Sequence, residues 1–202
     1  QIIYGIFQTI CNPLDEVIVL KPYWVSFPES IKLAGGTPIM VDTKQDFQLD
    51  LVKIKKAITK KTKAIIVNSP NNPTGAIYPR EDLEELSKIV LENDLVLIAD
   101  EAYDELVFPP VKNYSIGLSN EKIFKNAITV KSFSKTFCMT GFRIGYMIAH
   151  KDIINAVNSL QGHMTGNTCS FAQYGAIAAV EMNRSVLDNM LKVYMKRCNQ
   201  AY

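Results

Sequence analysis

One lysine, Lys135, follows the apolar run Ala127-Ile128-Thr129-Val130, with serines at 132 and 134 just before it and Arg143 eight residues after it. Such a run reads as a short buried strand, so the lysine stands at a strand end. A neutral amine is nucleophilic, and a neighbouring cation and partial burial both favour the neutral form. Two hydroxyls and a guanidinium fork together suit a phosphate. The plainer alternative is a solvated lysine beside a surface arginine, the common fate of both residue types. A second cluster, Asp100, Glu101 and Tyr103, follows the apolar run Leu95 to Ala99. Either carboxylate can hold a cationic group of a ligand; a turn cap is the ordinary use of Asp after a strand. A tyrosine in that setting is either a hydrogen-bond donor to a ligand or a core residue with its hydroxyl satisfied. Asn72 precedes Pro73, which biases its backbone to an extended form, and it is either an aimed amide donor or a turn residue. Trp24, the single tryptophan, follows the run Val17 to Leu20 with Tyr23 beside it. Either ring can stack on a flat ligand or enter the core.

The elements that position these residues follow from pattern. Residues 2 to 10 have helical apolar spacing and stop at Asn12-Pro13. Strands are expected at 17–20, 39–41, 64–67, 95–99, 127–131 and 144–149. Between them, Pro22-Tyr23-Trp24 opens a helix ending at Gly35-Gly36, Asp50 caps one running to about Ile58, and Pro79 starts one running to about Leu91. From Asp152 onward the chain reads as helical, with a polar loop over 161–170. Short unalternating strands separated by helices predict an α/β fold with a mainly parallel sheet covered by helices on both faces. Ligands of such sheets sit beyond the carboxyl ends of the strands, and the four residue groups above all lie there.

The segment Ser132-Phe133-Ser134-Lys135, followed by Gly141-Phe142-Arg143-Ile144-Gly145-Tyr146, resembles the cofactor-lysine motif of class I pyridoxal-phosphate aminotransferases, the aspartate aminotransferase family. Pro22-Tyr23-Trp24, Asn68 to Gly75 and Asp100-Glu101-Ala102-Tyr103 match the same family in the same order. The resemblance covers the whole chain and implies the type I pyridoxal-phosphate fold, with residues 1 to 202 forming the central part of the cofactor-binding large domain. It implies an N-terminal segment and a C-terminal small domain outside this sequence, and with them the arginine that binds the substrate carboxylate. Lys135 would form the Schiff base with pyridoxal 5′-phosphate and move a proton between the substrate α-carbon and cofactor C4′. The motif selects Asp100 over Glu101 for the ring nitrogen, and gives Tyr103 and Asn72 the phenolic oxygen. Trp24 would stack on the ring; Ser132 and Arg143, with Ser134, would hold the phosphate. Aspartate and 2-oxoglutarate are the expected substrates and a homodimer the expected assembly; on composition the polar loop over 161–170 either faces the neighbouring copy or is a plain surface turn. An aminotransferase of aromatic, alanine or kynurenine type, or a non-catalytic aminotransferase-like sensor domain, is the alternative.

Composition bounds these expectations. The 202 residues are 48% hydrophobic and 21% charged, near the average of globular proteins, and the net charge of +2 leaves no footprint for nucleic acid. The basic run Lys53 to Lys63 reads as a solvated helix face. No apolar stretch approaches the ~20 residues that span a bilayer. Four scattered cysteines without a CxxC pair, and two histidines, give no metal-ligand spacing and fit a cytoplasmic protein with free thiols. In isolation this segment is expected to expose apolar helix faces at 1–10 and 171–180 and not to transaminate.

Overall fold

The computed structural model describes residues 1–201. Six strands form one sheet: β1 (Glu16–Lys21), β2 (Thr37–Asp42), β3 (Thr62–Asn68), β4 (Val96–Asp100), β5 (Ala127–Ser132) and β6 (Gly145–Ala149). Their order is β2-β1-β3-β4-β5-β6. The first five pair in parallel, and β6 returns antiparallel along β5 with Ser132 opposite Gly145. The mainly parallel sheet expected from the sequence is therefore present, with one antiparallel edge strand. Strands β1, β3 and β4 are buried on both faces, so their sequences run apolar without alternation.

Two apolar layers sandwich the sheet. On one face, Ile3, Ile6 and Phe7 of α1 (Ile2–Ile10) and Phe27 and Ile31 of α2 (Ser26–Leu33) pack on Val17, Val19, Ile66, Ile98 and Val130. Ile153 of α7 (Lys151–Met164) adds to that layer. On the other face, Ile54 of α3 (Leu51–Ala57), Leu83, Leu86 and Ile89 of α4 (Arg80–Glu92) and Ile123 of α5 (Glu121–Asn126) cover Ile18, Ile65 and Leu97. A short helix, α6 (Phe133–Thr136), carries Lys135, and α8 (Ser170–Glu181) and α9 (Ser185–Ala201) complete the chain. Helix α8 packs Ala176 against Phe133 and Met139, beside the lysine turn.

Local signals account for several boundaries. Asp50 accepts the Lys53 backbone N–H at 3.0 Å and starts α3. Helix α2 ends with Gly35 at φ +79°, where Gly36 N–H reaches the Ile31 carbonyl at 3.0 Å and Gly35 N–H that of Lys32 at 2.9 Å. That pair of bonds needs a left-handed residue, which glycine supplies without strain.

Four expectations are corrected. The basic run 53–63 is not one helix face: α3 stops at Ala57, Lys60 and Lys61 lie in a turn, and Lys63 is already in β3, because strand pairing with β1 overrides local spacing. Helix α1 is not exposed; Ile6 and Phe7 are fully buried beneath α2 and α7. The polar loop expected over 161–170 is shorter, 165–169, since α7 continues to Met164 and α8 begins at Ser170. The helical C-terminal region is broken into three helices at 165–169 and 182–184. The expected exposure of 171–180 does occur, at Phe171, Tyr174, Ile177 and Val180.

Thr129 of β5 is fully buried, and its hydroxyl has no hydrogen-bond partner among the described residues. A Cβ added at Gly117 would lie 2.4 Å from that oxygen. Thr129→Val should therefore stabilise the intact protein by about 1 kcal/mol, by removing an unpaired buried hydroxyl. Gly117→Ala should destabilise it by roughly 1–3 kcal/mol through overpacking. Chemical denaturation of both variants checks the two signs.

Candidate functional site

Strands β1, β3, β4 and β5 are neighbours in the sheet and point the same way. Adjacent strands lie about 4.8 Å apart, so the chain segments leaving their carboxyl ends share one edge about 15 Å wide. These segments carry Trp24, Asn72, the Asp100–Tyr103 pair and Lys135.

Asp100, the last residue of β4, is 7% exposed. Its Oδ1 accepts the Ala102 backbone N–H at 3.1 Å, the one hydrogen bond to its carboxylate among the described residues. Burial pushes its carboxyl up to about 6, against the Ala102 N–H, with a further upward push from the Glu101 charge. Glu101 is engaged elsewhere. Its Oε2 lies 2.5 Å from Lys131 Nζ, and its Oε1 accepts the Ser115 hydroxyl at 2.7 Å. Successive residues of a strand face opposite sides, which sends the two carboxylates to different partners. The buried carboxylate short of donors is Asp100.

Tyr103 Oη accepts the Asn72 side-chain amide at 3.3 Å. Burial, then the nearby Asp100 charge, raises the Tyr103 phenol above its ordinary range, so it stays a donor. The Asn72 loop is pinned from three sides. Asn68 Oδ1 accepts the Asn72 backbone N–H at 2.7 Å, and Asn68 Nδ2 donates to the Asp100 carbonyl at 3.0 Å. Asn71 Nδ2 donates to the Pro22 carbonyl at 3.2 Å, while its Oδ1 accepts from Thr74. Sequence reasoning did not single out Asn68 or Asn71. The available signal was an amide directly after a fully apolar strand, where a buried polar side chain must find backbone partners.

Ser132 ends β5 and its Oγ accepts the Ser134 backbone N–H at 3.2 Å, capping α6. That bond leaves the Ser132 O–H free to donate elsewhere. Ser134 lies one residue before Lys135 on the same turn. Because β6 runs antiparallel, Arg143, two residues ahead of Gly145, returns to the edge occupied by Ser132. Arg143 adopts a left-handed backbone at φ +52° and donates Nη1 to the Thr140 carbonyl at 2.7 Å. Lys135 is exposed, which corrects the expectation of partial burial; α6 projects it off the edge rather than into the sheet layers. Tyr23 packs on the α1–α2 layer, whereas Trp24 is 40% exposed and meets Phe27 edge-on at 5.4 Å. Of the two rings, Trp24 is the one available to a ligand. A cleft of about 500 Å³ between residues 70–77 and 103–111 adjoins Asn72 and Tyr103 and is otherwise mainly apolar. Among the described residues no group of His, Cys, Asp and Glu is arranged to hold a metal ion, and no helix is long and apolar enough to cross a membrane.

The donor set fits pyridoxal 5′-phosphate. A buried carboxylate with acceptor capacity to spare suits a cationic ring N–H. The Tyr103–Asn72 pair suits an anionic phenolic oxygen, and Ser132 with Arg143 suits a phosphate.

Comparison with known proteins agrees with this arrangement. The family described as aminotransferase class I and II matches residues 1–201. The chain is 42% identical over 202 residues to aspartate aminotransferase of Bacillus subtilis (strain 168), covering 99% of this chain and 51% of that protein. Aspartate aminotransferase from Thermus thermophilus with maleate superposes with a TM-score of 0.92 at 39% identity, covering 97% of this chain and 52% of that one. Aromatic aminotransferase from Pyrococcus horikoshii OT3 superposes at 0.94 with 36% identity, covering 98% and 54%. The chain spans about half the length of the curated relatives it matches. Its sheet and flanking helices have the type I pyridoxal-phosphate fold of these structures. By the match along its length and the likeness of its fold, the chain belongs to the class I and II aminotransferase family.

Proposed function

We propose that the intact protein is a pyridoxal-phosphate-dependent aminotransferase that moves the amino group between aspartate and 2-oxoglutarate, and that residues 1 to 202 are the central part of its cofactor-binding large domain. The observation that carries this reading is Asp100, a buried carboxylate with one donor, set beside the Tyr103–Asn72 pair at the carboxyl edge of the sheet. Aspartate enters through the likeness to aspartate aminotransferases. Four cysteines, all free, favour a cytoplasmic setting.

Pyridoxal phosphate supplies an electron sink for the bond broken at the amino acid α-carbon. This chain's residues would do the rest. Lys135 Nζ would hold the cofactor through its aldehyde and, as a free amine, would be the group that carries the α-proton. Asp100 accepts the ring N–H and keeps that nitrogen positively charged. Tyr103 Oη and Asn72 Nδ2 donate to the phenolic oxygen. Ser132 Oγ and Arg143, with Ser134, hold the phosphate, and the Trp24 indole covers one face of the ring.

Four outcomes test this reading. Purified intact protein should absorb visible light and convert aspartate with 2-oxoglutarate, and Lys135→Ala should lose both properties. Retained absorption with a borohydride-fixable adduct would move the covalent site to another lysine, and preference for aromatic amino acids in a substrate panel would overturn the assignment to aspartate. Asp100→Ala should lower kcat about a thousandfold or more, at ~1.4 kcal/mol of barrier per tenfold, with folding retained. Near-normal turnover would remove Asp100 from the ring nitrogen.

The Asp100 carboxyl also sets a pH dependence. Its folded value, about 6, lies above that of an unfolded aspartate, so the folded state binds the proton more tightly. Stability without cofactor is therefore greatest below the unfolded pKa and falls as pH rises to about 6, by at most ~3 kcal/mol. In thermal melts at pH 7.5, cofactor-free Asp100→Asn should melt above cofactor-free wild type, and the order should reverse once cofactor is bound. Identical pH profiles would mean that the carboxylate has another partner. Finally, the intact protein should sediment as a dimer, covering the apolar side chains Phe171, Tyr174, Ile177 and Val180 on α8. A monomer with full activity would remove the dimer from the proposal.

A further inference from the structure

We propose that Lys131 is a positioning residue, whose ammonium clamps Glu101 and Asp104 and so holds the turn bearing Asp100 and Tyr103 against the strand that leads to Lys135. The proposal rests on the roles assigned above to Asp100 and Tyr103. Lys131 Nζ lies 2.5 Å from Glu101 Oε2 and 2.5 Å from Asp104 Oδ2. The three side chains are 15%, 4% and 19% exposed. Ser115 donates to the second oxygen of Glu101, so each oxygen of this deeply buried carboxylate has a partner.

The clamp joins two segments that would otherwise be linked by few bonds. Glu101 N–H donates to the Val130 carbonyl at 2.9 Å and is the last backbone bond between β4 and β5 on that side of the turn. Beyond it the turn is held to itself, by Asp104 N–H on the Glu101 carbonyl and Leu106 N–H on the Tyr103 carbonyl. Lys131 bonds the turn at both its start and its middle, with Tyr103 between the two points. Arg184 holds the next residue, with Nη1 2.6 Å from Glu105 Oε2.

The energetics make the clamp costly to lose. Burial drives the Glu101 carboxyl upward against the pull of the Lys131 ion pair, and burial works against the Lys131 charge, which the two carboxylates nonetheless maintain. Removing the ammonium would leave two carboxylates close together, one of them almost fully buried, without a cation. Such a pair relaxes by moving apart or by taking up water, and either response displaces the turn. Neither Glu101 nor Lys131 shares a hydrogen-bond partner with Asp100, so the clamp acts on the site through the backbone it fixes and through the Glu101 charge, which it compensates and which pushes the Asp100 carboxyl up. A displacement near 1 Å is enough to matter for groups that must meet a ligand in one geometry.

The test uses the intact protein, with and without pyridoxal phosphate, as wild type, Lys131→Met, Lys131→Arg and Asp104→Asn. In the cofactor-free protein, Lys131→Met should speed amide hydrogen exchange over 101–106 by about tenfold or more while leaving 62–68 unchanged. In the loaded protein it should move the pH midpoint of the visible absorption by about half a unit or more, because Tyr103 no longer donates in place. It should lower kcat about tenfold with little change in KM for the amino acid. Lys131→Arg should restore most of both properties, and Asp104→Asn should show the same shifts in smaller measure. A variant that melts earlier but keeps wild-type exchange over 101–106 and the wild-type midpoint would overturn the proposal and leave Lys131 a structural ion pair. If Lys131→Met does not fold, Asp104→Asn, which removes one arm at a partly exposed site, decides the question. If wild-type protein binds no pyridoxal phosphate, the aminotransferase reading fails, and hydrogen exchange still judges the clamp.

Discussion

The site depends on the parallel pairing of β1, β3, β4 and β5. Parallel neighbours deliver their carboxyl ends to one edge, and the register sets which side chains meet there. Asn68 lies opposite Asp100, and Asp100 opposite Val130, two residues before Ser132. A slip of one residue in β4 would exchange Asp100 for Glu101 and invert the apolar faces of the strand. Ile98 and Leu97 belong to opposite layers, so the two cores resist that slip. Packing far from the edge therefore decides which carboxylate can meet a ligand. The antiparallel return of β6 does the same for Arg143, which no parallel strand in that position could bring back to the edge.

The two adjacent carboxylates show how a sheet separates chemical tasks. Glu101 is buried with a lysine and a hydroxyl, so its charge is compensated within the protein. Asp100 is buried with a single backbone N–H, so its charge stays largely uncompensated within the protein. A site that is destabilised in the absence of its ligand is a common feature of functional carboxylates. The amides of Asn68 and Asn71 fix the neighbouring loop, because their hydrogen bonds run to the Asp100 and Pro22 carbonyls.

Much of the fold was legible in the residue pattern. Unalternating apolar runs can be buried on both faces only in a sheet covered twice, which is why the six strands and helices α1 to α4 could be read in order, whereas the short α5 (Glu121–Asn126) could not show a periodic pattern. Asp50 and Gly35-Gly36 marked helix ends because capping is local chemistry. The basic run 53–63 misled because lysines can face solvent equally well from a helix, a turn or an edge of β3. The burial of α1 was illegible because the same apolar stripe serves a covered helix and an exposed one.

The sequence by itself determined the family, the order of the elements and the identity of the candidate residues, since these reside in local spacing and motif order. Only the tertiary structure decided which side chains have partners. It gave Lys131 to Glu101 and Asp104, paired Asn72 with Tyr103, packed a half-buried Tyr23 against the α1–α2 layer and left Trp24 outside. It also put Lys135 at the surface of the edge, where local sequence suggested burial. The pairings among these outcomes join residues from separate strand exits, and distance between exits is set by sheet order and register, which no short stretch of sequence contains.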